Sequence, residues 1–541
     1  MCTSIVSDSF RQEPKEEQCK KCSNKLKVGN VRSRTIIDSH GKQRVTEVSK
    51  HCTHHPEEIY YPPKKLTPPR SKYGFNLLVE IGQYRFQEHR QIKEISAILK
   101  KRNITVPLRT IENLTHRFLR YTVAVHLESL PLLAKFLKRN GGYAFQIDGS
   151  TTSGSPELLL VKDGFSGIRL LATSIPTESC DHVQPIVEMI RNHFGEPICA
   201  IRDGGDGIRN ALRNTFSEIY IITCHYHFLG NVGERLLAKK YRSFQRRVHK
   251  TGILKKLRAL KKRILHRKAS DERDEALKLV EYVLDYKADA HGLGFPFSVA
   301  TMDFYRRCEE IRPIVQNSIL ERASAFQGSP CLIRLKNALD LLQPPPAVRG
   351  RIHAEYLQLF DHWNWFERIR KALRYRNGPI PLNNRGYLSD RELEKGRSEL
   401  DTLQEEIKDF LKLKVDTKDR NLKRLLRGVS ELLLERRGEL FAPNVELDVN
   451  GKKEFRKLPR TNNAVEQDFR KIRRYWRRIM GNSDVEKNVQ KQGVGQAIVA
   501  NLEIKEYVSV VYRGLENMAS RFAMVSPDAL ERANDLFNFQ R

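Results

Sequence analysis

The segment YAFQIDGSTTSGSPELLLVKDGFSGIRLLATSI, residues 143–175, decides the fold class. Its apolar runs YAFQID, ELLLVK and GIRLLATSI are short and separated by clusters of Gly, Ser and Pro. Such runs read as strands, and connections this short predict an antiparallel three-stranded meander. Beyond residue 175 the period changes. DHVQPIVEMIRNHFG (181–195) reads as a helix, ICAIRD (198–203) as a strand, the stretch from about Gly207 as a helix, and IYIITC (219–224) as a strand. Three antiparallel strands followed by alternating helix and strand is an α/β layout. In such a layout the fourth strand can lie parallel beside the first, so both reach the carboxyl edge where α/β sites form.

Asp148 closes the first strand in FQIDGS and Asp203 closes the fourth in AIRDGGDG. Each precedes a glycine, which permits a sharp exit and close approach. Taken singly, Asp-Gly at a strand end is also an ordinary turn. Asp206 fits a helix N-cap, so Asp203 is the preferred acid. Asp163, in VKDGF, reads as a hairpin turn. A third acid stands far downstream in TNNAVEQDFRKIRR (461–474). There Glu466 follows Asn463 at capping-box spacing and precedes Arg470 by four residues, which is sufficient reason for a helix cap. The surroundings add a second reason. Residues 451–480 hold eleven Lys/Arg against three Asp/Glu. Three carboxylates beside a row of cations suit phosphoryl transfer on nucleic acid, in which two divalent ions activate the attacking oxygen and stabilise the leaving one. Mg²⁺ or Mn²⁺ takes oxygen ligands, and a few carboxylates suffice. Asp148, Asp203 and Glu466 are the candidate ligands and catalytic acids. Arg470, Arg473, Arg474, Arg477 and Arg478 are the candidate phosphate contacts.

The 541 residues carry a formal charge of +31, which calls for a polyanionic partner. No apolar run is long enough to span a membrane, and the first residues lack a signal-peptide core. The expected compartment is therefore cytoplasm and nucleoid in a prokaryote or nucleus in a eukaryote, without secretion. Nine cysteines in such a chain read as thiols or metal ligands. CKKC supplies Cys19 and Cys22, and HCTHH supplies Cys52 with His54 or His55. That spacing predicts a structural Zn²⁺ site of Cys19, Cys22, Cys52 and His55, with His54 as the alternative fourth ligand and a hairpin over 27–51 as in a zinc ribbon. A module this small needs the staple.

The remaining organisation comes from breaks in the pattern. YYPPKKLTPPR (60–70) reads as a stiff linker. Residues 89–122 predict two helices, with Ile92, Ile95, Ile98 and Leu99 on one face of the first and Ile111, Leu114, Phe118 and Leu119 on one face of the second. A short turn joins them and the second is rich in Arg and His, which fits a DNA-binding helix-turn-helix as well as plain helical packing. From about residue 233 to 460 the chain is helical and basic, broken by LLQPPPAVRG (341–350). Leu393, Leu400, Leu403, Ile407 and Phe410 recur at heptad-like spacing, as in a helical hairpin or a dimer contact. Trp363, Trp365 and Trp476 fit core packing, with base stacking as the alternative for the two in DHWNWFERIRKALR (361–374). The boundaries drawn are 1–60 for the zinc module, 61–72 for the linker, 73–140 for the helix-turn-helix region, 141–235 for the first part of the core, 236–459 for a helical insertion, and 460–541 for the remainder of the core.

FQIDGS, IRDGGDG, CHYHF and TNNAVEQDFRKIRR together resemble the motifs of DDE transposases, in the Mutator-like and related insertion-sequence groups. The resemblance covers about 143–233 and 460–480, and it is the ordered set with its spacing, not any one motif, that carries it. It implies an α/β RNase H-like catalytic core interrupted by a large helical insertion, behind small N-terminal zinc-binding and helical DNA-binding domains. It implies Asp148, Asp203 and Glu466 as the catalytic triad. It also implies a role near the active site or in DNA positioning, not at a metal site, for Cys224 and His227 of CHYHF, where buried packing is the plain alternative for the cysteine. The implied activity is metal-dependent DNA cleavage and strand transfer at element ends by a homo-oligomer assembled on double-stranded DNA. Two other readings stand beside it: a non-enzymatic DNA-binding regulator derived from a transposase, and a structure-specific nuclease with the same core.

Overall fold

A computed structural model describes residues 9–63, 65–150, 157–287, 294–342, 351–375, 386–413, 420–481 and 485–538. The chain opens with β1 (Ser9–Gln12), β2 (Lys27–Asp38), β3 (Gly41–His51) and β4 (Ile59–Tyr60), then α1 (Phe75–Phe86), α2 (Ile92–Lys101), α3 (Leu108–Glu128) and α4 (Leu130–Arg139). The α/β part comes next as β5 (Ala144–Ser150), β6 (Glu157–Asp163), β7 (Arg169–Ile175), α5 (Cys180–Phe194), β8 (Cys199–Arg202), α6 (Asp206–Thr215) and β9 (Tyr220–Thr223). It leads into helices α7 (His225–Lys250), α8 (Ile253–Leu265), α9 (Asp271–Leu284), α10 (Ala300–Ser324), α11 (Pro330–Leu339), α12 (Arg351–Ala372), α13 (Asp390–Lys412) and α14 (Arg420–Leu440). The chain ends with β10 (Val445–Val449), β11 (Lys452–Arg456), α15 (Asn463–Met480), α16 (Glu486–Val499), α17 (Lys505–Tyr512), α18 (Met518–Ala523) and α19 (Pro527–Asn538).

Two compact units result. One contains the described residues of Met1–Ile221, Glu446–Arg456 and Asn462–Arg541; the other contains those of Ile222–Val445 and Lys457–Thr461. The helical unit therefore starts earlier than the expected boundary at 236 and takes in Cys224 and His227. The second Pro-rich break falls at 343–350, outside the described residues.

In the first unit β2 and β3 form the expected hairpin, paired from Lys27↔His51 to Asp38↔Gly41. The Pro-rich segment behind it is not a free spacer. The Arg34 guanidinium donates to Thr67 Oγ1 at 2.9 Å, and Ile37 N–H donates to the Lys72 carbonyl at 2.8 Å, so the segment is docked along β2. The helices at 75–139 are not a separate domain either. Their apolar faces share one core with the sheet β5–β9 and with α15–α19. In α3, Arg109 and Arg120 are exposed, whereas Tyr121–Leu127 is buried on every side. His126 pins that half: one ring nitrogen lies 2.8 Å from the Leu170 carbonyl and the other 3.0 Å from the Tyr507 hydroxyl. Burial holds its pKa down to about 4, so it is a neutral core histidine. This leaves the first half of α3 as the exposed part of the helix.

The five-stranded sheet has the order β7-β6-β5-β8-β9. β5 is antiparallel to β6, β6 to β7, and β5 is parallel to β8. The meander and the parallel fourth strand are as the sequence predicts. Asp163 closes the β6–β7 turn as expected, accepting from the Ala144, Phe165 and Ser166 N–H groups and the Ser166 hydroxyl.

The helical unit has its own core, drawn from α7 through α14. Leu393, Leu400, Leu403 and Ile407 of α13 are buried in it with Leu422, Leu426, Val429 and Leu433 of α14, so the heptad-like run makes contacts within the chain. Trp363 and Trp365 pack at its edge, beside Phe366 and Phe410. Trp476 is buried in the first unit with its indole N–H on Gln496 Oε1 at 2.8 Å. No described helix is long and apolar enough to cross a membrane.

Candidate functional site

β5 runs through the middle of the sheet, and β8 pairs with it at Ala144↔Cys199, Phe145↔Ala200 and Gln146↔Ile201. Carried two residues further, that register sets Asp148 level with Asp203. Asp148 does not end its strand, which continues to Ser150 against β6, but it lies just past the last β5–β8 pair. It is 4% exposed. Asp203 follows β8 directly and accepts the Gly205 N–H at 3.0 Å. Asp206 stands in the first turn of α6, where Gly205 is the N-cap, so Asp206 is not the cap.

A carboxylate that the sequence reading passed over completes this group. Glu178 lies in the link from β7 to α5, and Asp148, Glu178 and Asp203 each bring an oxygen within 4.8 Å of the others. β7 runs parallel to β5, so its exit reaches the same sheet edge. The available signal was an acid immediately after the third strand, in SIPTES. Two glycines make room for it. A Cβ on Gly149 would lie 1.9 Å from Glu178 Oε1, and one on Gly207 would lie 1.9 Å from the Glu178 carbonyl oxygen. The glycine after Asp148 thus serves the close approach of a side chain of the same protein.

Glu466 sits in the first turn of α15. The expected capping box is absent: Asn462 is the N-cap without a side-chain cap bond, and its amide instead donates to the Ile147 carbonyl. That bond ties the start of α15 to β5 one residue before Asp148. Glu466 Oε2 accepts from Arg470 at 3.1 Å. Glu466 is not among the oxygens grouped within 4.8 Å, yet its charge acts on Asp148. Two residues on, buried Asp468 holds α15 against the sheet. It accepts from Lys162 Nζ of β6 at 2.9 Å and from Arg169 Nε of β7 at 3.0 Å, with a second Arg169 bond to its other oxygen. Burial alone would raise the Asp468 pKa, but Arg169 and Lys162 outweigh it and hold the carboxylate ionised.

The electrostatics at the sheet edge run the other way. Burial raises Asp148 well above the ordinary carboxylate range, and the charges of Asp203, Glu466 and Glu178 push it further. Glu178 is raised to about 7 by burial, then by Asp203 and Glu157, against an opposing N–H from Gly149. Glu157 at the start of β6 is raised by burial and by Asp203. Carboxylates crowded this way repel unless a proton or a cation intervenes. An all-oxygen donor set of this kind fits a hard divalent ion such as Mg²⁺ or Mn²⁺.

Of the five arginines expected to meet phosphate, Arg470, Arg474, Arg477 and Arg478 are exposed on α15, opposite buried Val465, Phe469, Ile472, Tyr475 and Trp476. Arg473 is half-buried and engaged with Ser150 Oγ and with Glu486 at 3.5 Å. It is therefore less available than its neighbours.

A second cluster lies in the N-terminal module. Cys19, Cys22, Cys52 and His55 bring their ligand atoms within 4.8 Å of one another. Cys22 and Cys52 sulfurs are 3.5 Å apart, and Cys52 Sγ is 3.9 Å from His55 Nδ1. The fourth member is His55; His54 is exposed and outside the group. The CKKC turn is closed by Cys19 N–H to the Asn24 carbonyl and Ser23 N–H to the Cys19 carbonyl, both 2.8 Å. Burial pushes the Cys19 thiol up, but the Lys21 and Cys22 N–H groups and the Tyr60 hydroxyl bring it down to about 6. A Cys₃His set of this kind fits structural zinc.

Cys224 and His227 both belong to the helical unit. Cys224 is the buried N-cap of α7, and His227 is half-buried in its first turn. His225 between them is fully buried, with one ring nitrogen 2.9 Å from the Leu440 carbonyl.

Fold and site define a mixed α/β and helical protein with one cluster able to hold zinc and another able to hold a divalent metal. No family model matches the chain, and no curated protein matches it.

Proposed function

We propose that this chain is a DNA transposase that cleaves and joins DNA strands at element ends through an RNase H-like core. The carrying observation is the meeting of Asp148 on β5 and Asp203 after β8 at one sheet edge, with the helix that bears Glu466 tied to Ile147 beside them. The strand order, with three antiparallel strands and a fourth parallel to the first, supports the RNase H-like reading. The resemblance of the four motifs agrees with it in order and spacing.

Asp148, Glu178, Asp203 and Glu466 would hold a pair of Mg²⁺ or Mn²⁺ ions, which would supply Lewis-acid activation of a phosphodiester and of its attacking hydroxyl. Arg470, Arg474, Arg477 and Arg478 bind the phosphate backbone and hold the strand along α15. Lys162, Arg169 and Asp468 fix the helix against the sheet, so that Glu466 keeps its position when DNA loads. Gly149 and Gly207 keep Glu178 at the edge. The zinc module and the exposed first half of α3 recognise terminal repeats, and the enzyme works as a homo-oligomer on double-stranded DNA. Cys224 and His227 take the part in DNA positioning that the resemblance implies.

A specific observation favours a second reading, hydrolysis without strand transfer: Asp148, Glu178 and Asp203 form a compact three-acid set without Glu466. The test compares wild type with Glu466→Gln and Asp148→Asn for cleavage and joining of flanking-repeat DNA in Mg²⁺. The transposase reading expects both variants to bind DNA and to lose both reactions. Cleavage that survives Glu466→Gln but not Asp148→Asn, with no joining by any form, identifies a nuclease. DNA binding without cutting by wild type moves the regulator reading to the front.

A further inference from the structure

We propose that the exposed basic face of α7 and α8 in the helical unit is a second binding surface for double-stranded DNA, gripping the phosphate backbone without regard to sequence. It rests on the proposed function only for the class of partner.

The stretch RLLAKKYRSFQRRVHKTGILKKLRALKKRILHRK, residues 235–268, holds fifteen Lys/Arg and no Asp or Glu. The structure sorts these charges. Helix α7 buries Leu236, Leu237, Tyr241, Phe244 and Val248 against the unit's core. Its opposite side exposes Arg235, Lys239, Arg242, Arg246 and Lys250, at spacings of three and four residues that place them along one face. Helix α8 repeats the pattern, with Leu257, Leu260 and Ile264 buried and Lys255, Arg258 and Lys262 exposed.

Some cations of the stretch do have carboxylate partners. Arg247 pairs with Glu355 and Lys261 with Glu281, both at 2.8 Å, and Arg242 reaches Glu234 at 3.3 Å. Among the described residues, Lys239, Arg246, Lys250, Lys255, Arg258 and Lys262 make no ion pair. An ordinary solvated helix face looks different, as α13 of the same unit shows: Lys408 pairs with Glu405 at 2.7 Å and Lys412 with Asp409 at 3.0 Å. Cations three and four apart on α7 repel one another, which suits a surface completed by a polyanion. Geometry agrees. The helix from Arg235 to Lys250 is about 22 Å long, a length over which B-DNA presents about 13 phosphates.

The experiment uses the full chain in EDTA, so that no cutting intrudes, with a fluorescent duplex of about 30 base pairs and a KCl series. Removing one phosphate contact lowers the slope of log affinity against log salt by about 0.9. The variant Lys239→Gln, Arg246→Gln, Lys250→Gln, Lys255→Gln is expected to lower it by about 3–4, equally on duplexes of unrelated sequence. The charge-matched control Arg391→Gln, Lys395→Gln, Lys408→Gln, Lys412→Gln on α13 is expected to change it by less than about 1. Far-UV circular dichroism confirms that both variants fold. An unmoved slope in the first variant overturns the inference, as does an equal loss in the control. So does binding to phosphatidylserine vesicles that depends on these four residues while duplex binding does not. A chain that binds duplex through this face but never cuts leaves the surface standing and sinks the transposase reading. A chain that cuts with an unmoved slope does the reverse.

Discussion

Removing the Asp468 carboxylate isolates the device that holds α15 to the sheet. Side-chain exposure is 5% for Asp468, 9% for Lys162 and 6% for Arg169, so the three charges meet almost without water. Asp468→Ala strands two buried cations. Breaking a buried pair in this way costs about 3–5 kcal/mol. Part of that is relieved here, because Lys162 keeps the Ala464 carbonyl at 3.3 Å and Arg169 keeps the Ala500 carbonyl at 3.2 Å. Burial also disfavours the charged form of Lys162, so once its partner is gone it can shed its proton. The expected loss is therefore at the lower end, about 3 kcal/mol. Asp468→Asn keeps the volume and one acceptor, and is expected to lose about 2 kcal/mol. It remains readable if the alanine variant does not fold. Urea unfolding followed by far-UV circular dichroism at pH 7 measures both, provided the unit's transition is two-state. The triple change Asp468→Leu, Lys162→Met, Arg169→Leu removes all three charges together and is expected to recover most of the stability. A loss below about 1 kcal/mol for Asp468→Ala, or a triple variant no better than the single one, refutes the reasoning.

Two further outcomes are expected at the metal-capable clusters. Glu178 rises from an ordinary 4.5 to about 7 on folding, so its ionisation opposes folding fully above pH 7 and not at all below about 4.5. In EDTA, Glu178→Gln should then stabilise the protein by roughly 2 kcal/mol at pH 8, allowing for solvent screening, and by well under about 1 kcal/mol at pH 5. An equal gain at both pH values in urea unfolding contradicts this account, and Mg²⁺ should narrow the gap at pH 8. His55→Ala should lower the zinc content of purified protein, measured by metal analysis, and loosen the N-terminal module to proteolysis, whereas His54→Ala should do neither. Zinc retained by His55→Ala and lost by His54→Ala would reverse the ligand assignment.

Much of this arrangement is legible in local pattern. The spacing of Cys19, Cys22 and Cys52 announced a metal cluster because ligand spacing is a short-range property of a hairpin. The apolar runs at 143–175 and the alternation after them announced the meander and the parallel strand, because period and turn chemistry act within a few residues. Asp163 was readable as a turn for the same reason.

Other features depend on neighbours far along the chain. Asp468 looks like a surface acid on a basic helix until Lys162 and Arg169, about three hundred residues earlier, close on it. Arg473 resembles its exposed neighbours until Ser150 engages it. The second predicted helix-turn-helix element shows an amphipathic face over 111–119, yet its continuation TVAVHLE is apolar enough to be swallowed by the shared core. Glu178 sits in a link with no periodicity, marked locally only by its place just after the third strand. By itself, then, the sequence determined the elements, their order and the zinc-capable spacing, all of which rest on interactions between near neighbours. Only the tertiary structure decided that Glu178 joins Asp148 and Asp203 at the sheet edge, and which charges are buried. Those depend on strand register and on contacts across hundreds of residues, which no local pattern encodes.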